Sequence, residues 1–152
     1  AETHMKTIER EMKELIAADS NICRNYKLLT SIKGVGPITA IVMLCSTLNF
    51  TKITDHRKFA CYCGLAPFEH SSGTSVRGGC HTSSMANRDI KVQLNRSALI
   101  AIRCDPQLKA YYERKVAEGK HKFSVLNAVR AKIAARCFAV VRRGTPYVAL
   151  QI

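Results

Sequence analysis

Apolar side chains recur at helical spacing along most of this chain, and the stretches where the rhythm fails are as informative as those where it holds. Residues 5–18 carry Met5, Ile8, Met12, Leu15 and Ile16 three and four apart with charges between them, which predicts an amphipathic helix. No capping residue precedes it, so it reads either as the trailing part of a longer helix or as a simple first helix of the domain. A second apolar stretch, Tyr26 to Ile32, stops at Gly34. A third starts at Pro37, a residue suited to the first helical turn, and runs through Ile38, Ala40, Ile41, Met43 and Leu44. Helix, Gly-x-Gly turn, helix is the expected local architecture. Thr54 and Asp55 then cap a short helix holding Phe59 and Ala60, which ends near Gly64.

The rhythm disappears over residues 67–86, where Ser, Gly, Thr and His dominate. A structureless stretch of that length inside one domain is usually functional. Asn87 is expected to cap the next helix, with Ile90, Leu94, Ala98 and Ala101 on its inner face. Asp105 and Pro106 start another, containing Leu108, Tyr111 and Tyr112 and stopping at Gly119. The last runs from His121 to Arg143, with Leu126, Val129, Ile133, Cys137 and Val140 as its stripe and Gly144 ending it. No period-two alternation and no internal repeat interrupts this series. The expected class is all-α.

Charge changes the picture more than any other compositional feature. The chain of 152 residues is long enough for one domain with a buried core, and it carries +13. Residues 1–19 are net −2, so the remainder holds +15 with only six carboxylates. A compact domain that positive repels itself until a polyanion neutralises it, and nucleic acid is the first candidate. No apolar run approaches the ~18 residues of a membrane span, and the N-terminal residues are polar rather than those of a signal peptide. A cytoplasmic, nucleoid-associated protein is expected. The seven cysteines then read as free thiols, with Cys45 and Cys137 as small core residues.

Three elements could carry chemistry. In Lys33-Gly34-Val35-Gly36, two glycines with backbone angles closed to other residues would let the chain approach a phosphate. Amides at the following helix N-terminus would face the anion, with Lys33 adding charge and Thr39 a hydroxyl; a purely structural turn is the alternative. The second element is Glu69-His70-Ser71-Ser72-Gly73, with Arg77 nearby: a serine hydroxyl beside a flexible glycine could attack a phosphodiester if a base or metal activated it. An ordinary polar loop is the alternative. Third, Arg88, Lys91 and Asn95 fall on one helical face, suited to phosphate oxygens or simply to solvent. Cys61, Cys63, Cys80 and His81 have the wrong spacing for zinc. The acids are too scattered for a magnesium nuclease site. With no Trp and ten Phe plus Tyr, a stacking surface of the RNA-binding kind is not evident.

The order of several motifs is distinctive. The run Leu29 to Ala40, the segment Phe59 to Pro67 with its aromatic-x-Gly-Leu-x-Pro pattern, Ser72-Gly73, Asn87-Arg88, and Tyr112 to Lys120 together resemble the C-terminal domain of the DEDD insertion-sequence transposases. These are bridge-RNA-guided recombinases whose family includes pilin-gene invertases. The likeness covers residues 26–147. It implies that residues 26–152 form the serine-bearing transposase domain with a helix–hairpin–helix, and that residues 1–25 are the end of a coiled-coil linker. It also implies that Ser72, or Ser71 if the register shifts by one, is a nucleophile forming a phosphoserine link to DNA. Lys33, Gly34, Val35, Gly36, Thr39, Arg77, Arg88 and Lys91 would then contact DNA. The family's acidic, Mg2+-binding RuvC-like domain has no counterpart in these residues, so no cofactor is expected here and the chain alone should not cleave DNA. A structured guide RNA and a homo-oligomer are the other implied partners. Where the family often has Lys-Gly-Asn before the helix, this chain reads Ser84-Met85-Ala86-Asn87. The competing expectation, from a different class, is a non-catalytic helix–hairpin–helix module in which Ser72 is expendable.

Overall fold

A computed structural model describes residues 1–65 and 84–149, with the backbone alone for 84–87. Among the described residues there are seven helices and no strand: α1 Glu2–Ala18, α2 Ser20–Thr30, α3 Pro37–Thr47, α4 His56–Tyr62, α5 Ser84–Cys104, α6 Pro106–Ala117 and α7 Lys122–Arg143. No helix among them is long and apolar enough to cross a membrane.

Local chemistry sets most helix ends. Asp19 accepts from the Asn21 and Ile22 amides and starts α2, Asp55 accepts from Arg57 and starts α4, and Asp105 accepts from Gln107 and Leu108 and starts α6. Gly144, at φ 69°, ends α7. Two starts differ from those expected. Helix α2 begins at Ser20 rather than Tyr26, so residues 25 and 26 lie inside one helix and the chain breaks at Asp19 (φ −115°, ψ 117°). Helix α5 begins at Ser84, which puts Asn87 within its first turns rather than at its cap. Met85 and Ala86 are good helix formers and let the helix extend upstream.

Helix α5 is the axis of the fold, packing against α3, α6 and α7. Its inner positions Ile90, Leu94, Ala98 and Ala101 are all buried, as are Leu126, Val129, Ile133, Cys137 and Val140 of α7. Ala98 and Ala101 have almost no exposed surface, and these small residues allow neighbouring backbones to approach closely. Phe138 meets Phe50 edge-on at 4.9 Å and Phe59 at 5.4 Å, closing the core below α4. Asn25 is buried and donates to Asn49 at 2.7 Å, which ties α2 to the turn after α3.

Helix α1 stands apart. None of its residues is buried, and Met5, Ile8 and Leu15 are well exposed. Met12, Leu15 and Ile16 face Ile41, Leu44 and Leu48 of the α3 region across a groove of about 450 Å³. Cys45 also lines it and is exposed, against the expectation of a core thiol, because it lies on the side of α3 turned away from α5.

Candidate nucleic-acid interface

Two stations along α5 collect the residues singled out in the sequence. The first is the α2–α3 hairpin. Helix α2 unwinds through short bonds from Ser31 to Leu28 and from Ile32 to Leu29, and Val35 donates to the Ile32 carbonyl at 3.0 Å. Ile32 and Val35 plug inward, so the Val35 side chain faces the core rather than solvent. Gly34 has φ +93°, and a Cβ placed on it would lie 2.6 Å from the Ser97 carbonyl oxygen and 3.0 Å from Ala101 Cβ. Its missing side chain is what lets the hairpin lie against α5. Gly36, in contrast, has φ −88° and ψ 179°, an extended conformation open to any residue, with nothing within 4 Å of an added Cβ. The expectation of two conformationally restricted glycines therefore holds for Gly34 alone.

Thr39 is also turned inward. Its hydroxyl lies 3.1 Å from the Ser97 hydroxyl, and both residues are buried, so that oxygen is engaged within the protein. What remains at the surface is the Lys33 side chain, Gly36, Pro37 and Ile38. Gly36 supplies no side-chain cap to α3 and Pro37 has no N–H, leaving the Ile38 and Thr39 amides as first-turn donors without an intrahelical acceptor.

Behind this hairpin the polar groups close on one another. Ser31 Oγ accepts the Tyr147 amide at 2.8 Å, and the Arg136 guanidinium lies 4.7 Å from the centre of the Tyr147 ring. Arg136 in turn donates to Asp105 at 2.7 Å and to Gln107 at 2.7 Å. Burial alone would raise the Asp105 carboxyl. The amide bonds from Leu108 and Gln107 and the Arg136 guanidinium outweigh it and hold the group below its usual range.

The second station is where the C-terminus of α4 meets the N-terminal halves of α5 and α7. Gly64 (φ +64°) and Leu65 end α4 with bonds to the Cys61 and Ala60 carbonyls at 3.1 and 2.7 Å. Lys91 reaches across from α5: a Cβ on Gly64 would lie 3.1 Å from its Nζ. Asn127 of α7 donates to the Leu65 carbonyl at 3.2 Å, and Arg130 donates to Asn95 Oδ1 at 2.6 Å. Asn95 is thereby held by Arg130 rather than offered to solvent with Arg88 and Lys91, both of which are exposed. The Arg130 Nε is buried without a partner among the described residues. Cys61 is exposed while Cys63 is buried, and burial pushes the Cys63 thiol up to about 12, with nearby Lys91 opposing. Residues two apart thus face different sides, and the Cys63 thiol is a core group.

Ser71, Ser72 and Arg77 lie outside the described residues. Their segment leaves just after Leu65 and rejoins at Ser84, so the station around Gly64 and Lys91 is its root. Sequence reasoning missed Asn127 and Arg130. Their only signal was polarity next to the apolar stripe of α7, which any solvated face would give.

Residues 26–113 match the model of the Transposase IS116/IS110/IS902 family. The chain belongs to this family. The match runs from α2 to α6 of the transposase-family fold and includes the hairpin, Gly64 and Lys91, but not α7. The 43.6 kDa protein of insertion element IS110 from Streptomyces coelicolor is 39% identical over 121 residues, covering 79% of this chain and 29% of its own length. The pilin gene-inverting protein of Moraxella bovis is 23% identical over 141 residues, 92% of this chain and 44% of its own. The 42 kDa protein of insertion element IS900 from Mycobacterium paratuberculosis is 28% identical, over 83% of this chain and 35% of its own. The chain thus spans less than half the length of these family relatives.

Proposed function

We propose that this chain is the C-terminal, serine-bearing part of an insertion-sequence transposase and takes part in cutting and rejoining DNA. The observation that carries the proposal is the root of the serine segment: Gly64, just before it, lies against Lys91 of the helix that follows it. A cation at that position suits a phosphodiester under attack. Ser72 Oγ forms a bond to phosphorus, one bridging oxygen leaves with a proton as a strand-end hydroxyl, and the phosphoserine keeps the linkage available for the reverse attack by a new strand end. Arg77, Arg88 and Lys91 hold phosphate oxygens while charge builds on them. Lys33 and the amides at the start of α3 hold DNA backbone further along α5. The relative named for pilin-gene inversion supports recombination as the reaction class.

Divalent metal does not fit the described residues of this chain. Among the described residues no three acidic, histidine or cysteine side chains gather to hold an ion; Asp19, Asp55 and Asp105 cap helices, and Glu118 is paired with Lys115 at 2.8 Å and Arg114 at 3.9 Å. Mg2+ belongs to the RuvC-like portion of the longer protein, and a guide RNA and further copies of the protein complete the proposed assembly.

The test is covalent trapping. Full-length transposase mixed with labelled insertion-end DNA should give a protein–DNA adduct resistant to denaturation. Ser72→Ala should give none, and Ser71→Ala should retain it. The reverse pattern moves the nucleophile to Ser71, and an active Ser72→Ala enzyme overturns the reading in favour of a non-catalytic binding module.

A further inference from the structure

The turn between α6 and α7 carries an aromatic ring that the fold does not use. Phe123 is 73% exposed although it stands in the first turn of a 22-residue helix whose other large apolar residues are mostly buried. Its ring stacks on the His121 imidazole, with centroids 5.5 Å apart and planes 24° from parallel. His121 itself is fixed, because its Nδ1 accepts the Phe123 amide at 3.3 Å. The outcome is a two-ring platform facing solvent. Lys120 and Lys122 flank it and are exposed, and Glu118, three residues before His121, is already engaged by Lys115.

Its position is as informative as its composition. Phe123 lies four residues, about 6 Å of helix rise, before Asn127, which bonds the Leu65 carbonyl at the root of the serine segment. Residues 123, 127 and 130 share one face of α7, so the platform continues the row that reaches Leu65 and Asn95. An aromatic surface between lysines suits an unpaired nucleotide: the base stacks, the backbone phosphate meets the cations, and any base is accepted because every base has a π-face. A fully paired duplex hides its base faces and gives the ring nothing to stack on.

We propose that Phe123 and His121, with Lys120 and Lys122, form a binding platform for an unpaired base of the DNA strand beside the cleavage point. The proposal deepens the strand-exchange function and rests on it for the biological role, but it predicts a binding property measurable without cleavage. Strand exchange must expose unpaired bases between cutting and rejoining, and a stacking surface next to the serine segment would hold them.

Binding of the 152-residue chain to a single-stranded oligodeoxynucleotide of about 16 nucleotides, carrying one 2-aminopurine, tests the platform. Its duplex and the matching RNA strand serve as comparisons. The wild type should quench 2-aminopurine. Phe123→Ala and Phe123→Leu should both weaken single-strand binding about tenfold and lose the quenching, leaving duplex affinity within about twofold. Phe123→Tyr should bind as the wild type. The ring is exposed, so all three variants should melt with the wild type. Single-strand binding unchanged in Phe123→Ala overturns the platform, as does an equal loss for single strand and duplex. Binding of the RNA more than tenfold tighter than the DNA overturns the choice of DNA. The binding measurement involves no cleavage, so failure of the nucleophile assignment in covalent trapping and failure of the platform here give different results.

Discussion

The hairpin end of α5 and the α4–α7 end were both expected to grip phosphate, yet they are built on opposite principles. At the hairpin, polar groups are committed to one another: Thr39 to Ser97, Ser31 to Tyr147, and Arg136 to Asp105 and Gln107. At the other end Arg88, Lys91, Lys120 and Lys122 face solvent, and Arg130 Nε lacks a partner among the described residues. Lys91 and the Ser97–Ala101 stretch lie six to ten residues apart on α5, which is about 9–15 Å. Apart from the exposed Lys33, a basic chain thus sets a locked structural joint against a region whose charge is left open to a polyanion. Net charge alone does not locate an interface; the state of each cation does.

Asp105→Asn should break the locked end most severely. It leaves Arg136 short of its carboxylate in a site where Asp105 is 1% exposed, and losing one partner of a buried pair costs about 3–5 kcal/mol. Because the folded carboxyl is held below its ordinary value, its contribution is complete above the unfolded carboxylate range. It is lost as pH falls below about 4 towards the lower folded value. The variant's acid-unfolding curve should therefore be flatter than that of the wild type, measured by denaturant titration across pH. A wild-type curve with no acid limb would contradict the role given to this pair.

The two hairpin glycines sharpen the comparison next. Gly34→Ala should cost about 2–4 kcal/mol, since the positive φ and the 2.6 Å approach to the Ser97 carbonyl act together. Gly36→Ala should stay within about 0.5 kcal/mol of the wild type in thermal melts. Equal losses at the two positions would show that the hairpin is not seated on α5 as described.

Lys91→Ala gives the smallest stability effect, within about 0.5 kcal/mol. It should weaken duplex binding at low salt and reduce the slope of log affinity against log salt by about one. A Lys33→Ala variant measured beside it ranks the two stations: an unchanged slope for Lys91→Ala with a reduced one for Lys33→Ala would return the main phosphate contact to the hairpin.

Much of the fold was legible because its signals are local. Pro37, Asp55, Asp105 and Gly144 mark helix ends through bonds and angles within a few residues, and the spacing of Ile90 to Ala101 and Leu126 to Val140 marks inner faces. The site was less legible. Thr39 and Val35 read as surface groups beside a glycine turn, and only the seating of that turn on α5 turns them inward. Nothing in the sequence near Phe123 distinguishes an exposed ring from a core one, since the residue sits in an apolar-rich helix.

The sequence by itself determined an all-helical, strongly basic protein with a glycine-mediated hairpin, because propensity, capping and charge are properties of short segments. Only the tertiary structure decided that Gly34 serves close packing, that Asp105 and Arg136 neutralise each other, and that Lys91 and Asn127 meet the chain at Gly64 and Leu65. Those relations depend on which helix faces meet across α5, and residues sixty positions apart in the chain carry no local record of their contact.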